Sequence, residues 1–334
     1  MSTEVLAAPA TETLTIGRAL NLGLRRAMED DPKVVLMGED IGRLGGVFRI
    51  TDGLQKDFGE DRVVDTPLAE AGIVGTAVGL AMRGYRPVVE IQFDGFVFPA
   101  YNQIVTQVAK MHARSRGLVP MPIVIRIPFG GGIGAVEHHS ESPEAYFAHT
   151  PGLKVVAVSN PVDAYWGIQQ AIAAPDPVVF LEPKRRYWDK APVDTSATPE
   201  PLFGSRVVRA GDDVTVLAYG PMVKTALQAA EAAESEGRSL EVVDLRTISP
   251  LDLDRVVESV RRTGRCVVVH EAPVTLGLGA EIAARITESC FHSLEAPVLR
   301  VGGYDVPYPP SKLEEDFLPD LDRVLDAVDR AMGF

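Results

Sequence analysis

Apolar runs alternate with segments of helical periodicity along almost the whole chain. Ile16, Leu20, Leu24 and Ala27 fall on one face of a helical projection, which predicts an amphipathic helix near the amino end. The same alternation predicts strands at residues 34–37, 88–93, 123–128, 155–158 and 178–181, with helices between them. Short strands that are apolar on both faces and separated by helices are typical of a parallel sheet covered on both sides. The first half of the chain is therefore predicted to be an α/β domain.

Two residue pairs mark predicted helix starts in this half. Thr66-Pro67 combines a capping threonine with a proline suited to the first helical position, and the small, apolar segment after it extends to Met82. Asn160-Pro161 has the same character and predicts a second helix. We therefore expect one helix from Thr66-Pro67 to Met82 and another from Asn160-Pro161.

The pattern pauses near residue 189 and restarts in the second half. Strands are predicted at residues 214–218, 240–245, 266–270 and 298–301, and helices at 221–236, 252–262, 277–291 and 321–332. Prolines and charged residues between the two halves predict a linker. The expected organisation is a tail at 1–11, an α/β domain at 12–188, a linker at 189–210 and a smaller α/β domain at 211–334.

Charge and composition narrow the class of protein. The chain has 46 acidic and 33 basic residues, a net charge of −13, so a nucleic-acid partner is not expected. The basic run Lys184-Arg185-Arg186 is predicted to be a solvated turn or a protein contact. No uncharged stretch reaches the roughly 18 residues of a membrane span, and the first fourteen residues match no targeting signal. Cys266 and Cys290 lack metal spacing. A cytoplasmic enzyme is expected.

Glycine patterns do not indicate a nucleotide site. Gly130-Gly131-Gly132-Ile133-Gly134 follows a predicted strand but leads into Glu137-His138-His139 instead of a helix. Gly277-Leu278-Gly279 lacks the third glycine of a dinucleotide fingerprint. Loop and helix-packing roles are favoured for both.

Two side chains stand out chemically, and each has two interpretations. His139 follows the glycine-rich turn at the carboxyl end of a predicted strand, where α/β proteins place ligands, but it also fits a solvated loop histidine. Neither a histidine four residues away nor a cysteine supports zinc there. Glu70 lies in the first turn of the predicted helix, where the helix dipole alone favours a carboxylate. It also fits a carboxyl held at the mouth of a cleft.

The segment from Asp65 to Gly75 resembles the thiamine-site segment of the β subunits of 2-oxo acid dehydrogenases. Further segments that resemble this family are Gly38-Glu39-Asp40 and residues 45–49, 90–93, 98–104, 139–144, 243–250 and 303–309. The resemblance extends in order over about residues 12–330, and several segments are most similar to the branched-chain 2-oxo acid enzyme.

The resemblance implies a transketolase-like fold, with a thiamine pyrimidine-binding α/β domain followed by a carboxyl-terminal α/β domain. Such a β subunit works with an α subunit in a heterotetramer of two α and two β chains, with thiamine diphosphate between them. It also implies binding to a lipoyl acyltransferase core through the subunit-binding domain of the core. Asp52-Gly53 and Asp94-Gly95 are not preceded by the glycine of the family's diphosphate motif. Mg²⁺ and the diphosphate are therefore expected to be held mainly by the α subunit.

Residue roles follow from the same resemblance. Glu70 would hydrogen-bond the pyrimidine ring nitrogen of the cofactor, and His139 would transfer protons as the acyl group passes to a lipoyl arm. The pocket would be lined by Leu68, Gln92 and Phe96, the last at a position where the branched-chain family often has tyrosine. Some members hold K⁺ with main-chain oxygens, and the matching positions are Ala171, Ala174 and Asp176, with Asp176 replacing a usual asparagine.

The main functional hypothesis is the β subunit of a branched-chain 2-oxo acid dehydrogenase, of the 3-methyl-2-oxobutanoate dehydrogenase (2-methylpropanoyl-transferring) type. The pyruvate enzyme is the neighbouring alternative, because few pocket residues distinguish the two substrates. A non-catalytic scaffold subunit is the more distant alternative, and Glu70 with His139 argues against it.

Overall fold

A computed structural model describes residues 11–334, so residues 1–10 of the predicted tail lie outside the described part. The larger sheet has seven strands in the order β12-β6-β7-β5-β4-β2-β3, six from the first half of the chain and β12 from the second. Its strands are β2 (Val34–Gly38), β3 (Val63–Asp65), β4 (Arg86–Glu90), β5 (Val124–Phe129), β6 (Lys154–Ala157), β7 (Val178–Pro183) and β12 (Thr247–Ser249). All neighbours are parallel except β12, which pairs antiparallel with β6. The carboxyl ends of the central strands therefore share one edge.

Helices cover both faces of this sheet. They are α1 (Ile16–Asp30), α2 (Leu54–Phe58), α3 (Glu70–Met82), α4 (Phe98–Gln103), α5 (Met111–Arg114), α6 (Glu144–Ala148) and α7 (Pro161–Ala173), and a π-helical turn (Ile104–Val108) follows α4. On one face α1 packs closely on α7. Gly23 permits this approach, because a Cβ there would lie 2.6 Å from the carbonyl oxygen of Tyr165. On the other face α3 buries Ile73, Val74 and Ala77.

The second half forms a five-stranded sheet in the order β14-β13-β10-β11-β9. Its strands are β9 (Arg206–Arg209), β10 (Val214–Ala218), β11 (Leu240–Asp244), β13 (Cys266–Pro273) and β14 (Leu299–Gly303). Its helices are α8 (Met222–Glu234), α9 (Leu253–Thr263), α10 (Leu278–Cys290), α11 (Glu314–Phe317) and α12 (Leu321–Met332). Strand β9 is antiparallel to β11 and the other pairs are parallel. This is the second α/β unit that the restart of the pattern predicts.

Most predicted elements are confirmed, and one helix start is wrong. Helix α3 begins at Glu70 and not at Thr66-Pro67. The amide of Thr66 instead donates to the carbonyl of Gly38, the last residue of β2, at 2.9 Å, so Thr66 still pairs with that strand. The segment predicted as a linker contains β9 and β8 (Lys190–Asp194), which pairs antiparallel with β1 (Thr11–Thr15).

Both cysteines are buried and unpaired. Within residues 11–334 no helix combines the length and the apolar composition that crossing a membrane requires.

Candidate active site

Glu70 stands at the amino end of α3, which follows β3, the edge strand paired with β2. Its residue is 7% exposed, although the loop before it is open and Leu68 is 81% exposed. No side chain caps this helix. A carboxylate in a first turn is favoured by the helix dipole. Glu70 is therefore a buried carboxyl at an uncapped helix end beside an open loop.

Glu39 is a second carboxyl of this site, and the sequence analysis did not assign it a role. It follows directly after β2 and is 7% exposed. Burial, and then the nearby negative charge of Glu70, raise the pKa of the Glu39 carboxyl above its usual range. Its Oε1 is buried without a hydrogen-bond partner. Two neighbouring buried carboxyls, one of them with an unpaired oxygen, form a pair that can hold and exchange a proton.

Gln92 links this carboxyl pair to the next strand of the sheet. Its Nε2 lies 3.3 Å from the carbonyl oxygen of Glu39 and 3.3 Å from Oδ2 of Asp40, and it donates to both. Gln92 comes two residues after the end of β4, whereas Glu39 follows β2, its neighbour in the sheet. The parallel register therefore brings Glu39 and Gln92 together, and the pocket role of Gln92 stays a prediction.

His139 is held in an aromatic cluster with Phe93 and Phe96. Its ring stacks on Phe93 with centroids 4.0 Å apart and planes 10° apart, and it meets the edge of Phe96 at 5.0 Å. Its Nδ1 lies 2.8 Å from the carbonyl oxygen of His138. Since a carbonyl only accepts, Nδ1 carries the hydrogen and Nε2 keeps the lone pair in the neutral ring. The solvated-loop interpretation fits exposed His138 better than half-buried His139.

A buried ion pair lies under this cluster. The solvated-turn alternative predicted for residues 184–186 is wrong for buried Lys184, whereas the protein-contact alternative stays a prediction. Lys184 is fully buried and its Nζ pairs with Asp94, which is 1% exposed. Burial raises the pKa of Asp94 to about 6, although Lys184 opposes this change. Arg185 pairs with Glu271 of the second domain at 3.0 Å. A run of three basic residues cannot be distinguished from a surface turn without knowing these partners.

A second buried ionic cluster joins three central strands. The Arg126 side chain is fully buried, donates from Nε and Nη2 to both carboxylate oxygens of Glu182 at 2.7 and 2.9 Å, and also pairs with Glu90. Tyr187 donates to the same Glu182 at 2.6 Å. These charge-assisted bonds fix β4, β5 and β7 relative to one another, just before the segments that carry Gln92 and the aromatic cluster.

The glycine-rich loop has carboxylates where a phosphate would bind. Gly132 and Gly134 donate their amides to the two oxygens of Glu314 at 2.8 and 2.9 Å, and Gly131 donates to Glu271. Backbone amides in such a loop form an anion-binding concavity, and here anionic side chains of the second domain fill it. The packing role favoured for this loop is therefore supported.

The three candidate potassium positions lie at the opposite edge of the sheet, and the potassium site stays a prediction. Arg86, the first residue of β4, donates from Nη1 to the carbonyl of Ala174 at 3.3 Å. The Asp176 carboxylate binds Lys154 at 3.0 Å. The amide of Ala174 donates to the carbonyl of Ala171 at 3.3 Å. Two cationic side chains, Arg86 and Lys154, therefore already lie beside these positions.

The described part of the chain, residues 11–334, also brings together no three His, Cys, Asp or Glu side chains in a metal-binding group.

Comparison with protein families gives two matches along the chain. Residues 12–189 match the family described as transketolase, pyrimidine binding domain, and residues 204–324 match transketolase, C-terminal domain. These ranges correspond to the seven-stranded and five-stranded units, except that β12 of the larger sheet comes from the second range. The predicted transketolase-like fold class is confirmed.

Curated relatives cover nearly the whole chain. The pyruvate dehydrogenase E1 component subunit beta of Leifsonia xyli subsp. xyli (strain CTCB07) is 62% identical over 326 residues, 98% of this chain and 97% of that protein. The 3-methyl-2-oxobutanoate dehydrogenase subunit beta of Mycobacterium tuberculosis (strain CDC 1551 / Oshkosh) is 55% identical over 323 residues, 96% of this chain and 93% of that protein.

Among solved structures, a split gene transketolase, an inactive beta4 tetramer, aligns with a TM-score of 0.75 at 23% identity. The alignment covers 96% of this chain and 98% of that one. At this identity the likeness concerns the fold alone.

Proposed function

We propose a function from one premise: the chain belongs to the β subunits of thiamine-diphosphate-dependent 2-oxo acid dehydrogenases, which work with an α subunit. The proposal is that this chain supplies the pyrimidine half of a shared active site. One observation carries it, the buried pair Glu39–Glu70 at the carboxyl edge of the sheet, with Glu39 Oε1 unpaired. A carboxyl that donates or accepts one proton fits a basic ring nitrogen.

Thiamine diphosphate, when bound, supplies a nucleophilic carbon and an electron-accepting ring for decarboxylation. In the proposal Glu70 holds the proton at the pyrimidine nitrogen. Glu39, a buried acidic neighbour, favours sharing of that proton. Gln92 positions Glu39 through its hydrogen bond to the Glu39 carbonyl. Exposed Leu68 and half-buried Phe96 present apolar surface for the ring to pack on. The hydroxyl that tyrosine would provide at position 96 is absent.

His139 is proposed to act at a different step, the passage of the acyl group to a lipoyl arm. Its Nδ1–H is held by the carbonyl of His138, so Nε2 is the nitrogen that gains and loses a proton. The ring stacked on Phe93 cannot rotate freely, which keeps that nitrogen in one direction. An imidazole that can donate and accept a proton suits a step that turns a disulfide into a thiol and a thioester.

The α subunit is proposed to complete the site. It would hold Mg²⁺ and the diphosphate, because Asp52-Gly53 and Asp94-Gly95 lack the preceding glycine of the diphosphate motif. We further propose two α and two β chains, and a lipoyl acyltransferase core bound through its subunit-binding domain. A cytoplasmic location is part of the proposal, in keeping with two unpaired buried cysteines.

For the substrate we propose 3-methyl-2-oxobutanoate. Several segments are most similar to the branched-chain 2-oxo acid enzyme, and a 55% identical mycobacterial relative is named for that substrate. Pyruvate is the second candidate, because a 62% identical relative is named for it. The two substrates differ by two methyl groups, and a hydrophobic pocket discriminates roughly 10- to 200-fold per methylene.

The substrate proposal is tested by carbon dioxide release from the chain reconstituted with its α subunit and thiamine diphosphate. We expect kcat/KM for 3-methyl-2-oxobutanoate to exceed that for pyruvate by about 10-fold or more. A preference for pyruvate of that size would overturn the substrate proposal and leave the shared site intact. Failure to release carbon dioxide from either acid in the assembled complex would favour the scaffold interpretation.

A further inference from the structure

We propose that Asp94 and Lys184 form a positioning pair that holds His139 in the orientation needed for proton transfer. The inference rests on the proposed function, because that function gives His139 its role. Neither residue is expected to contact substrate or cofactor. They act through the loop that carries the imidazole.

The contacts of Asp94 connect two segments that are far apart in sequence. One carboxylate oxygen pairs with Lys184, and the other accepts the amide of Glu141 at 2.8 Å. Glu141 is two residues after His139, so the carboxylate anchors the end of the histidine loop directly. The adjacent Gly95 packs against the start of this loop, since a Cβ there would lie 2.3 Å from the carbonyl oxygen of His138. That carbonyl is the acceptor for His139 Nδ1.

Lys184 connects the same loop to the rigid part of the sheet. It follows β7 directly, and its Nζ also lies 3.5 Å from the carbonyl oxygen of Pro128 in β5. The ammonium is 5.6 Å from the ring centroid of Phe93, the ring that stacks on His139. The pair therefore contacts both supports of the imidazole, the loop below it and the aromatic ring beside it.

Stability alone is a poor explanation for this arrangement. Removing two charges from water costs several kcal/mol per ion, and buried ion pairs are often no more stabilising than apolar residues of the same size. A buried pair fixes the orientation of both side chains, because each partner has one arrangement in which its charge is paired. An apolar pair at positions 94 and 184 would not bind the Glu141 amide.

The test uses Asp94→Asn and Lys184→Met in the enzyme reconstituted with its α subunit. Arg246→Met is the matched control, because Arg246 is a buried cation paired with Asp163 at 3.4 Å in another part of the molecule. We expect both test variants to lose about 10- to 100-fold in acyl transfer to a lipoyl domain, part of the general acid–base contribution. Turnover with an artificial electron acceptor should stay within about 3-fold of wild type, because that assay bypasses transfer to the lipoyl arm.

A double-mutant cycle separates positioning from general destabilisation. Asp94→Asn combined with His139→Ala should lose no more transfer activity than His139→Ala alone, because the pair acts only through that ring. Additive losses would overturn the inference. So would equal losses in both assays for Asp94→Asn, or a transfer-selective loss in Arg246→Met.

Amide hydrogen exchange of residues 137–141 keeps the inference testable independently of catalysis. The exchange of these amides should be faster in Asp94→Asn than in wild type and unchanged in Arg246→Met. Unchanged exchange in Asp94→Asn would overturn the inference, whatever the activities. Faster exchange together with an active His139→Ala enzyme would instead show that the positioning is correct and that the proposed role of His139 is wrong. If Lys184→Met does not fold, Asp94→Asn decides the question alone.

Discussion

Glu70→Gln is expected to lose decarboxylation by about 1,000-fold or more in the enzyme reconstituted with its α subunit. Glutamine keeps the shape of the side chain and a hydrogen-bonding oxygen, but it cannot exchange a proton with a ring nitrogen. General acid–base assistance by one positioned group contributes roughly 100- to 10,000-fold, and this variant removes it where the cofactor is activated. The measurement is carbon dioxide release under saturating thiamine diphosphate and Mg²⁺.

The fold of Glu70→Gln should be nearly unchanged. A charge in the first turn of a helix contributes about 0.3–1 kcal/mol, so the free energy of unfolding should fall by no more than that. Glu60→Gln is the matched control, since Glu60 is an exposed glutamate in the turn before β3, and its turnover should equal wild type. Near-normal decarboxylation by Glu70→Gln would remove Glu70 from its role and reduce it to a helix-end carboxylate.

His139→Ala should lose acyl transfer to a lipoyl domain by about 100- to 10,000-fold, the range of one general acid–base group. Decarboxylation followed with an artificial electron acceptor should fall much less, because that assay bypasses the lipoyl arm. The physical reason is the geometry of the ring: Nδ1 is held by a carbonyl, and Nε2 is the nitrogen left to exchange a proton. The ratio of the two activities in one preparation is the measurement.

His138 is the control that the chain itself provides. It is adjacent in sequence and is exposed, whereas His139 is half-buried and stacked on Phe93. His138→Ala should keep both activities within about 3-fold of wild type, because a solvated side chain contributes little to general acid–base catalysis. Equal losses of both activities in His139→Ala would assign it to cofactor activation or substrate binding. An undiminished transfer rate would return it to the solvated-loop interpretation.

Hydrophobic periodicity was sufficient to predict most of the fold, because each element buries a face that its own residues define. Ile16, Leu20 and Leu24 are all buried in α1, as their spacing predicts. The start of α3 shows the limit of such reasoning. Thr66-Pro67 has local helix-start chemistry, but the Thr66 amide bonds to Gly38 of the adjacent strand, and the helix begins only at Glu70. A tertiary hydrogen bond overrides the local preference.

Site residues divide in the same way. Glu70 and His139 belong to segments with a family resemblance, so the sequence indicates them. Glu39 follows a buried strand, a position that could have identified it. Its raised pKa, however, comes first from burial and then from the charge of Glu70, and both exist only in the folded chain. Lys184 is the clearest failure, because its partner Asp94 is 90 residues away. Charge patterning along the chain contains no information about such a pair.

The potassium positions stay a prediction for a related reason. Main-chain carbonyls are present at every residue, so only the fold decides which cation reaches them. Arg86, remote in sequence, donates to the carbonyls of Ile172 and Ala174. A ligand set of carbonyls is therefore the kind of site that a single sequence predicts least well.

The central claim is that this chain provides half of a thiamine diphosphate site. Isothermal titration calorimetry with thiamine diphosphate and Mg²⁺ tests it most directly, on the chain alone, on its α subunit alone and on the assembled complex. The account predicts weak binding to this chain alone and a gain of at least about 100-fold in affinity, or about 2.7 kcal/mol, in the complex. Tight, Mg²⁺-dependent binding to the isolated chain would contradict it.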